Sequence, residues 1–392
     1  MKILVLCHDI PSMNVGATIP IYHMIRELSD VHSIDLISFD SHKYDIKDLT
    51  KHLNDFKSID IEEYLSTKDQ LLYTLKNMLT IDNLKTRSFL NYYYNKDMNR
   101  LINENTDSYD LIITDMPMAF YVKNCDKHKI VYAFDAVSDY NHNMYKKSET
   151  LGSKLFWYLN YLKINNYEKC YDNFDDCIVV NMKDKLLLEK KLEVPISVVA
   201  NGVDTSYFTN TKVDDDKLKL VFLGDMSTPP NNDAVKYFVE EIYPSVLEQI
   251  RIPFYIVGRN PTQYVKNLEN KDIIVTGSVD DVRKYLSKNT IFITPMISGT
   301  GIKNKILEAM SMQLAVISTS CGISGIDAID EIEYICADDG DAFKDAIIKL
   351  CHDEEYREFI GRNARILVEN KYSWKNSAQK INDIINKKSI KK

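Results

Sequence analysis

Short apolar runs alternate with stretches of helical periodicity from the first residues onward. Residues 3–7 form an apolar run that polar residues end, and Ile21, Ile25 and Leu28 then recur at the spacing of one helix face. A second apolar run covers residues 32–39. A strand, a helix and a second strand in this order predict a βαβ unit at the start of the chain.

The same alternation continues to about residue 205, with one less regular region. Residues 41–108 are rich in Lys, Asp, Asn and Tyr and contain a helical stretch at 69–79. Three further apolar runs predict strands at residues 109–115, 128–135 and 175–181. The polar run 209–219 indicates a linker, and we therefore place a domain boundary between residues 205 and 206.

In the second half of the chain, apolar runs and helical patterns alternate more regularly. Helical patterns separate most of its short apolar runs, and a glycine or proline ends nearly every run. This alternation is typical of a parallel sheet with helices on both faces, in which ligands bind at the carboxyl ends of the strands. The predicted strands are residues 218–224, 254–258, 273–277, 291–295 and 315–319. A last helix begins near Ser373, and Trp374, Ala378, Ile381 and Ile385 form its apolar stripe.

Composition and charge restrict the functions that such a chain can serve. It has 392 residues, 45% of them hydrophobic, and a formal net charge of -8, which argues against a nucleic-acid-binding protein. The seven cysteines are dispersed, without Cys-x-x-Cys or zinc spacing, and this indicates reduced thiols and a cytoplasmic location. Residues 1–11 lack the ~7–15 apolar residues of a signal peptide, and no run approaches the ~18 that span a membrane.

The stretch most informative about chemistry is residues 295–319. A predicted strand ends at Pro295, and the glycine-rich loop 298–301 leads into a predicted helix. Glycines let a ligand approach the backbone closely, and the unpaired N–H groups of a helix start favour anions. Lys303 and Lys305 add two cations, so the segment predicts a diphosphate site. The alternative is an ordinary helix cap with a surface Lys–Glu pair.

The predicted helix has two distinct faces. Ile302 and Ile306 are four residues apart and face the core, whereas Gly301, Lys305 and Glu308 fall together on another face. A carboxylate at Glu308 can accept hydrogen bonds from the vicinal hydroxyls of a ribose while Lys305 neutralises phosphate. The spacing therefore suits a ligand with both a ribose and a diphosphate.

These residues lie in a segment that resembles a known family. Residues 295–319 resemble the Leu-Glu-Ala-Met helix and following strand of retaining glycosyltransferase family four, the glycosyl transferases group 1. Three other segments, residues 200–208, 221–238 and 356–381, resemble further motifs of that family. The resemblance covers residues 200–385 and is weaker across residues 1–200.

The resemblance implies the GT-B fold, two Rossmann-like α/β domains whose parallel sheets face an interdomain cleft. Residues 1–205 would form the acceptor-side domain, with the helix 373–388 packing back on it, and residues 206–372 would bind the donor. The implied reaction moves a sugar from a nucleotide-diphosphate sugar to a glycan or lipid-linked acceptor, with retention of configuration. The donor is a co-substrate, and no metal or other cofactor is expected. Cell-surface polysaccharide is the implied product.

The resemblance also implies two sets of site residues. Asp135, Lys305 and Glu308 are the expected catalytic residues, and Asp135 stands where relatives often have a histidine. The expected donor-binding residues are Gly16, Gly224, Asn231, Gly258, Gly299, Thr300, Gly301, Ile302, Lys303, Lys305 and Glu308. The alternative for Asp135 and for the glycines is a plain turn. No metal ligand is expected, because the aspartate run 214–216 lies in the polar linker.

Two positions depart from the family pattern. Thr300 replaces the first glutamate of the usual Glu-x7-Glu pair, and the loop 225–231 has no cation. Lys303 and Lys305 are therefore expected to supply the positive charge. Two other functions stay open, a nucleotide-sugar epimerase of the same fold and a non-catalytic donor-binding subunit.

A final candidate feature is the aromatic segment 151–163. Leu151, Leu155 and Tyr158 recur on one helix face, and Trp157 and lysines flank them. Such a helix can lie on a membrane surface, which would place the protein at the inner face of the plasma membrane beside a lipid-linked acceptor. The alternative is a core or interdomain helix.

Overall fold

The computed structural model describes residues 1–13, 18–61, 95–209, 217–299 and 301–389. The chain forms two compact units, Met1–Ala200 with Ala378–Lys392, and Asn201–Ser377. Gly16, Thr300, the aspartate run 214–216 and the helical stretch 69–79 lie outside the described residues. Among the helices that are described, none has the length and apolar character needed to cross a membrane.

The first unit is built on a parallel sheet with the strand order β3-β2-β1-β4-β5-β6-β7. Its strands are β1 (Lys2–Cys7), β2 (Ser33–Asp40), β3 (Asp55–Asp60), β4 (Leu111–Asp115), β5 (His128–Phe134), β6 (Asp176–Val179) and β7 (Ile196–Val198). The sheet confirms the parallel α/β class. The sequence pattern does not predict β3, because this edge strand alternates charged and apolar residues that are only partly buried.

Helices connect the strands of the first unit. They are α1 (Ile19–Leu28), α2 (Lys96–Asn105), α3 (Ala119–Val122), α4 (Val137–Lys147), α5 (Leu151–Glu168) and α6 (Met182–Leu188). Short 3-10 turns occupy Leu49–His52, Thr106–Ser108, Met116–Met118 and Lys169–Asn173. The helix predicted after β1 is confirmed as α1, and Ile21, Ile25 and Leu28 are buried.

The core of the first unit covers both faces of its sheet. Along β1, Leu4 and Leu6 join one buried cluster, whereas Ile3 and Val5 join a second cluster on the opposite face. Because both faces are buried, the strands appear in the sequence as continuous apolar runs rather than as alternating apolar and polar residues. The second cluster also contains Ala378, Ile381, Ile384 and Ile385 from the end of the chain.

The second unit has a parallel sheet with the order β10-β9-β8-β11-β12-β13. Its strands are β8 (Lys219–Leu223), β9 (Phe254–Val257), β10 (Ile273–Gly277), β11 (Thr290–Thr294), β12 (Ala315–Ser318) and β13 (Ile335–Cys336). All five strands predicted for this half are confirmed, and only the two-residue β13 is unpredicted. Buried residues from strands and helices form one core cluster, which includes Phe222, Phe238, Phe254 and Phe343.

The helices of the second half are shorter before residue 340 than after it. They are α7 (Pro229–Tyr237), α8 (Tyr243–Leu247), α9 (Gln263–Asn267), α10 (Asn304–Ser311), α11 (Ser320–Ile323), α12 (Gly340–His352), α13 (Glu354–Lys371) and α14 (Trp374–Ser389). A π-helical turn, Phe238–Ile242, joins α7 to α8, and Val282–Tyr285 is a 3-10 turn. From Ala378 onward α14 belongs to the first unit.

Candidate functional site

The strand order of the second unit predicts where a ligand would bind along its sheet. The chain runs from β8 outward through β9 and β10, and then returns to the other side of β8 with β11. In open parallel sheets, ligands bind outside the carboxyl ends of the strands at such a switch point. The loops after β8 and β11 flank it, and they carry most of the expected donor-binding residues.

Lys305, on α10, contacts residues of both β8 and the segment that follows it. Its Nζ donates a hydrogen bond to Asn231 Oδ1 at 2.6 Å and lies 4.1 Å from the centre of the Phe222 ring. A Cβ atom at Gly224 would lie 3.2 Å from this Nζ and 2.6 Å from Asn231 Nδ2, so a larger residue there would displace these side chains. The structure therefore brings together Gly224, Asn231 and Lys305.

Lys305 and Glu308 form an electrostatically coupled pair on one face of α10. Burial lowers the pKa of Lys305 to about 7, with Lys303 acting in the same direction and Glu308 opposing it. Burial also raises the pKa of Glu308 to about 7, and Lys305 opposes that rise. Two groups with perturbed pKa values in a crevice are typical of a functional site, although structural pairs show them too.

The loop before α10 differs from the sequence-based expectation. The helix begins at Asn304 rather than at Gly301, because Gly299 and Gly301 have φ values of 118° and 71°, which a right-handed helix does not contain. Ile302 consequently lies in the loop, where a Cβ atom at Gly325 would come within 3.0 Å of it. Gly301 therefore precedes the face shared by Lys305 and Glu308 rather than belonging to it.

Lys303 stabilises the loop before α10 by donating hydrogen bonds to backbone carbonyl groups. Its Nζ donates hydrogen bonds to Gly301 O at 2.9 Å and Cys321 O at 3.2 Å, and the residue is only 9% exposed. Burial lowers the pKa of Lys303. In this structure Lys303 shapes the loop, and Lys305 is the lysine beside the β8 segment.

The glycines that end β8 and β9 approach each other closely. Gly258 has a φ of +145°, and a Cβ atom there would lie 1.8 Å from Gly224 O. No residue with a side chain fits this position without displacing the backbone. Both expected donor-binding glycines therefore lie at the carboxyl edge of neighbouring strands.

Two polar residues at this edge were not predicted from the sequence. Arg259 follows Gly258, and its Nε donates a hydrogen bond to Asp225 Oδ2 at 2.8 Å, which brings a cation to the loop 225–231. Hydrogen bonds from Ser227, Arg259 and Asn260 lower the pKa of Asp225 to about 2. Asn304, the first residue of α10, has a buried Oδ1 with no hydrogen-bond partner in the part of the chain that the structure describes.

In the first unit, Asp135 follows a strained strand end. Phe134 has a φ of 64°, which is rare for an aromatic residue, and the register between β5 and β6 shifts at this point. Partial burial and the neighbouring carboxylate of Asp184 raise the pKa of Asp135 to about 6. Strain of this kind persists where the surrounding structure imposes it, often at functional sites.

The switch point of the first sheet holds a group that sequence reasoning missed. Cys7 ends β1, His8 follows it, and Asp115 ends the neighbouring β4. His8 Nδ1 lies 2.5 Å from Asp115 Oδ2, and the Cys7 thiol donates to the same oxygen at 3.2 Å. Because 107 residues separate His8 from Asp115, no local spacing signals the pair.

These three residues are also types that bind metals, and their ligand atoms lie within 4.8 Å of one another. The 2.5 Å separation of His8 and Asp115 is nevertheless that of a hydrogen bond. Burial raises the pKa of the Cys7 thiol, and Asp115 adds to that rise. We therefore interpret the group as a hydrogen-bonded cluster.

Known sequences are similar to this chain over part of the second unit or over nearly its whole length. Residues 217–353 match the family described as Glycosyl transferases group 1. An uncharacterized 44.6 kDa protein in the cps region of Klebsiella pneumoniae is 22% identical over 95% of this chain and 97% of its own. The capsular polysaccharide biosynthesis glycosyltransferase CapM of Staphylococcus aureus is 25% identical over 48% of this chain and 53% of its own.

Solved structures extend the similarity of the fold to the whole chain. Sucrose-phosphate synthase from Thermosynechococcus elongatus has a TM-score of 0.70 at 13% identity and covers 100% of both chains. HepE from Anabaena, solved with UDP, has a TM-score of 0.68 at 13% identity and covers 99% of this chain and 100% of its own. The resemblance expected from the sequence is thus confirmed: the chain has the GT-B fold, and residues 217–353 of its second unit are similar to the Glycosyl transferases group 1 family.

Proposed function

We propose that this glycosyltransferase takes its sugar from a nucleotide-diphosphate sugar held by the second unit and transfers it, with retention and without a metal, to a glycan or lipid-linked acceptor. The observation that carries the proposal is the group formed by Lys305, Asn231 and Glu308 at the switch point. HepE, which has a similar fold, was solved with UDP and with UDP-glucose.

The residues of the second unit suit the parts of such a donor. The Lys305 ammonium would stabilise the charge that develops on the leaving diphosphate, and Arg259 would add a second cation from the neighbouring strand end. Glu308 would accept hydrogen bonds from the ribose, and the buried Asn304 Oδ1 would accept one more. Asp135 would contact the donor sugar or the acceptor from the first unit.

The names of two relatives support a place in cell-surface polysaccharide synthesis. One is encoded in a cps region, and the other, CapM, is a capsular polysaccharide biosynthesis glycosyltransferase. We therefore propose that the acceptor is a growing surface glycan, free or lipid-linked.

The donor-site proposal is tested by removing one ammonium group. Lys305→Met keeps an aliphatic chain over Phe222 but loses the charge, so turnover should fall by at least ~10²-fold. The matched control is Lys349→Met, because Lys349 Nζ also lies over an aromatic ring, 3.9 Å from the centre of Tyr356, on another helix. Near-normal turnover of Lys305→Met would contradict the proposal.

Ligand binding and product analysis separate the proposed transfer from the alternatives. Thermal shifts with UDP-, GDP-, ADP- and CDP-sugars would identify the nucleotide. An epimer formed from the donor alone would indicate an epimerase, and binding without turnover across a panel of acceptors would indicate a donor-binding subunit. Retention is read from the anomeric configuration of the product by NMR.

We further propose that the α4–α5 hairpin contacts an anionic membrane surface. Its exposed large apolar side chains are Tyr140, Leu151, Leu155, Phe156 and Tyr158. Trp157 packs edge-on against Tyr140, and His142 stacks on Tyr161. Exposed lysines at 146, 147 and 154 suit lipid phosphates. The hairpin begins at Val137, two residues after Asp135, so a lipid-linked acceptor on this surface would lie near the carboxyl edge of the first sheet.

A further inference from the structure

A pocket at the amino-terminal edge of the second sheet is rich in positive charge. It encloses about 240 Å³ and is lined by Lys288, Gln313, Ala315, Arg357, Glu358 and Arg362. Lys288 precedes β11 and Ala315 begins β12, whereas the candidate donor site around Lys305 lies at the carboxyl ends of the strands. The five residues of β11 alone separate the two edges by ~16 Å. The pocket is therefore distinct from the candidate donor site.

Arg357, near the start of α13, supplies a cation that is nearly buried. The residue is 9% exposed, and its Nη1 donates a hydrogen bond to Leu350 O, near the end of α12, at 2.5 Å. Within the part of the chain that the structure describes, its Nε and Nη2 have no hydrogen-bond partner, and both atoms remain accessible to solvent. A guanidinium presents its N–H donors in a planar fork that matches the oxygens of a phosphate. Arg357 therefore has donors to offer to a ligand in the pocket.

Two further cations at the rim of the pocket share one carboxylate. Lys288 Nζ lies 2.7 Å from Glu358 Oε1 and 3.9 Å from Glu354 Oε1, and Arg362 Nη1 lies 3.3 Å from Glu358 Oε2. The hydrogen bond from Lys288, together with the charges of Arg362 and Arg357, lowers the pKa of Glu358. The Lys288 and Arg362 side chains are 61% and 59% exposed, so their ion pairs contribute little to stability. Both cations can therefore turn toward a ligand at little cost.

The helix that carries most of these charges is held against the opposite wall of the pocket. Gly361 lies one turn after Arg357 on α13, and a Cβ atom there would lie 2.1 Å from Gln313 O. Gln313 has a φ of 61°, in the region that favours glycine. Strain of this kind persists where the surrounding structure imposes it. The close contact therefore fixes α13 relative to the wall that Gln313 and Ala315 form.

We propose that this pocket binds a small phosphate-bearing anion, either free phosphate or a phosphate monoester, at a site separate from the candidate donor site. The Arg357 guanidinium would contact the phosphate oxygens, and Lys288 and Arg362 would turn from Glu358 to the remaining charge. Size argues for a small ligand, because pockets for drug-sized molecules enclose ~300–1,000 Å³ and this one encloses about 240 Å³.

Calorimetric titration of the full-length protein with inorganic phosphate and with glycerol 3-phosphate tests the proposal. Tighter binding of glycerol 3-phosphate would identify an ester as the ligand, and equal or tighter binding of phosphate would identify the free ion. Arg357→Gln keeps an amide that can donate to Leu350 O but removes the cation, so affinity should fall at least ~10-fold. The matched control is Arg251→Gln, at an exposed arginine of the same unit outside the pocket, which should bind like the wild type.

Two variants at the rim should change the affinity in opposite directions. Arg362→Gln removes a cation from an exposed position, so binding should weaken without any effect on folding. Glu358→Gln removes the carboxylate that competes for Lys288 and Arg362, so binding should strengthen at least ~3-fold. Urea denaturation shows which variants are folded, and the rim pair decides the question if Arg357→Gln is not.

Three results would overturn the proposal. The first is no heat of binding with either compound up to ~10 mM. The second is binding that Lys305→Met abolishes and Arg357→Gln leaves unchanged, because the phosphate would then occupy the candidate donor site. The third is the same affinity in Arg362→Gln, Glu358→Gln and the wild type. Loss of glycosyl transfer in Lys305→Met concerns the donor site alone, so the proposed function and this pocket can fail independently.

Discussion

Two glycines determine how closely the ends of β8 and β9 approach. The backbone oxygen of Gly224 occupies the space that a Cβ atom of Gly258 would need, and Gly258 has a φ that side-chain-bearing residues rarely adopt. Gly224 in turn leaves room for the Asn231 and Lys305 side chains. The candidate donor site therefore depends on the absence of two side chains as much as on the presence of a lysine and a glutamate.

We expect Gly258→Ala to destabilise the second unit by at least about 2 kcal/mol, because it combines a backbone clash with an unfavourable φ. Nucleotide-sugar binding should be lost with it. Gly277→Ala is the matched control, since Gly277 also has a positive φ, 66°, but no heavy atom within 4 Å of the added Cβ; it should cost only about 1 kcal/mol. Urea denaturation measures both, and equal effects would refute the explanation.

The pKa of Lys305 gives donor binding a pH dependence. A diphosphate favours the ammonium form of a lysine whose pKa burial has lowered to about 7. Binding should therefore take up protons near neutral pH and weaken as the pH rises from 7 to 9. Calorimetry in two buffers of different ionisation enthalpy measures the uptake, and pH-independent binding without proton uptake would contradict this role for Lys305.

Local spacing predicted some residues at the carboxyl strand ends and missed others. Lys305 and Glu308 lie three residues apart on one helix, so a sequence window contains both. His8 and Asp115 come together only because β1 and β4 are neighbours in the sheet. Arg259 was missed for the same reason, since its partner Asp225 follows a different strand. Pairs made by sheet topology have no signature in a single sequence.

At the level of elements, one buried ion pair holds the α4–α5 hairpin against the rest of the first unit. Glu168 is fully buried at the end of α5, and its Oε1 accepts the Ser138 N–H near the start of α4 at 3.0 Å. Lys191 donates to Glu168, to the Ser138 hydroxyl and to Asn165. The pair thus joins both helices to the segment after α6.

Lys191→Met should lower the free energy of unfolding by about 3–5 kcal/mol, because it leaves the Glu168 carboxylate buried and unpaired. Adding Glu168→Gln should recover much of this loss, since the amide oxygen can still accept the Ser138 N–H. Lys190→Met, at the exposed neighbouring lysine, should change stability by no more than about 0.5 kcal/mol. Chemical denaturation compares the three, and no recovery in the double variant would refute the pairing argument.

Strand prediction succeeded where both faces of a strand are buried and was weaker elsewhere. After their initial lysines, β1 and β8 consist of buried apolar residues and appear in the sequence as unbroken apolar runs. β3 does not, because charged and apolar residues alternate along it and it is partly exposed at the edge of the sheet. The predicted helix included residues before Asn304, where α10 begins. The positive φ values of Gly299 and Gly301 end the helix there, and they depend on tertiary structure rather than on the local sequence.

At the scale of the whole molecule, charge is distributed unevenly. The chain carries a net charge of -8, yet exposed lysines at 146, 147 and 154 accompany the aromatic surface of the α4–α5 hairpin. An anionic bilayer would repel the molecule as a whole and attract this surface. Binding should therefore depend on both the apolar side chains and the lipid charge.

We expect the protein to float with vesicles that contain phosphatidylglycerol and to float less with pure phosphatidylcholine. Phe156→Glu should reduce the bound fraction at least ~10-fold, because it removes an apolar side chain worth ~1.5–3 kcal/mol and adds a negative charge. Phe359→Glu is the matched control, since Phe359 is similarly exposed but lies on α13 in the second unit. Equal flotation of both variants, or self-association through the hairpin in place of vesicle binding, would contradict a membrane-contacting surface.

The end of α14 has a consequence for how the protein is made. Four residues of α14 pack against one face of the first sheet: Ala378, Ile381, Ile384 and Ile385. The strands of that sheet all come from residues before 200. On the ribosome, this apolar layer of the first unit therefore stays uncovered until residues 378–385 have been translated, whereas residues 201–377 are all available before then. The unit synthesised first is the one that can finish folding last.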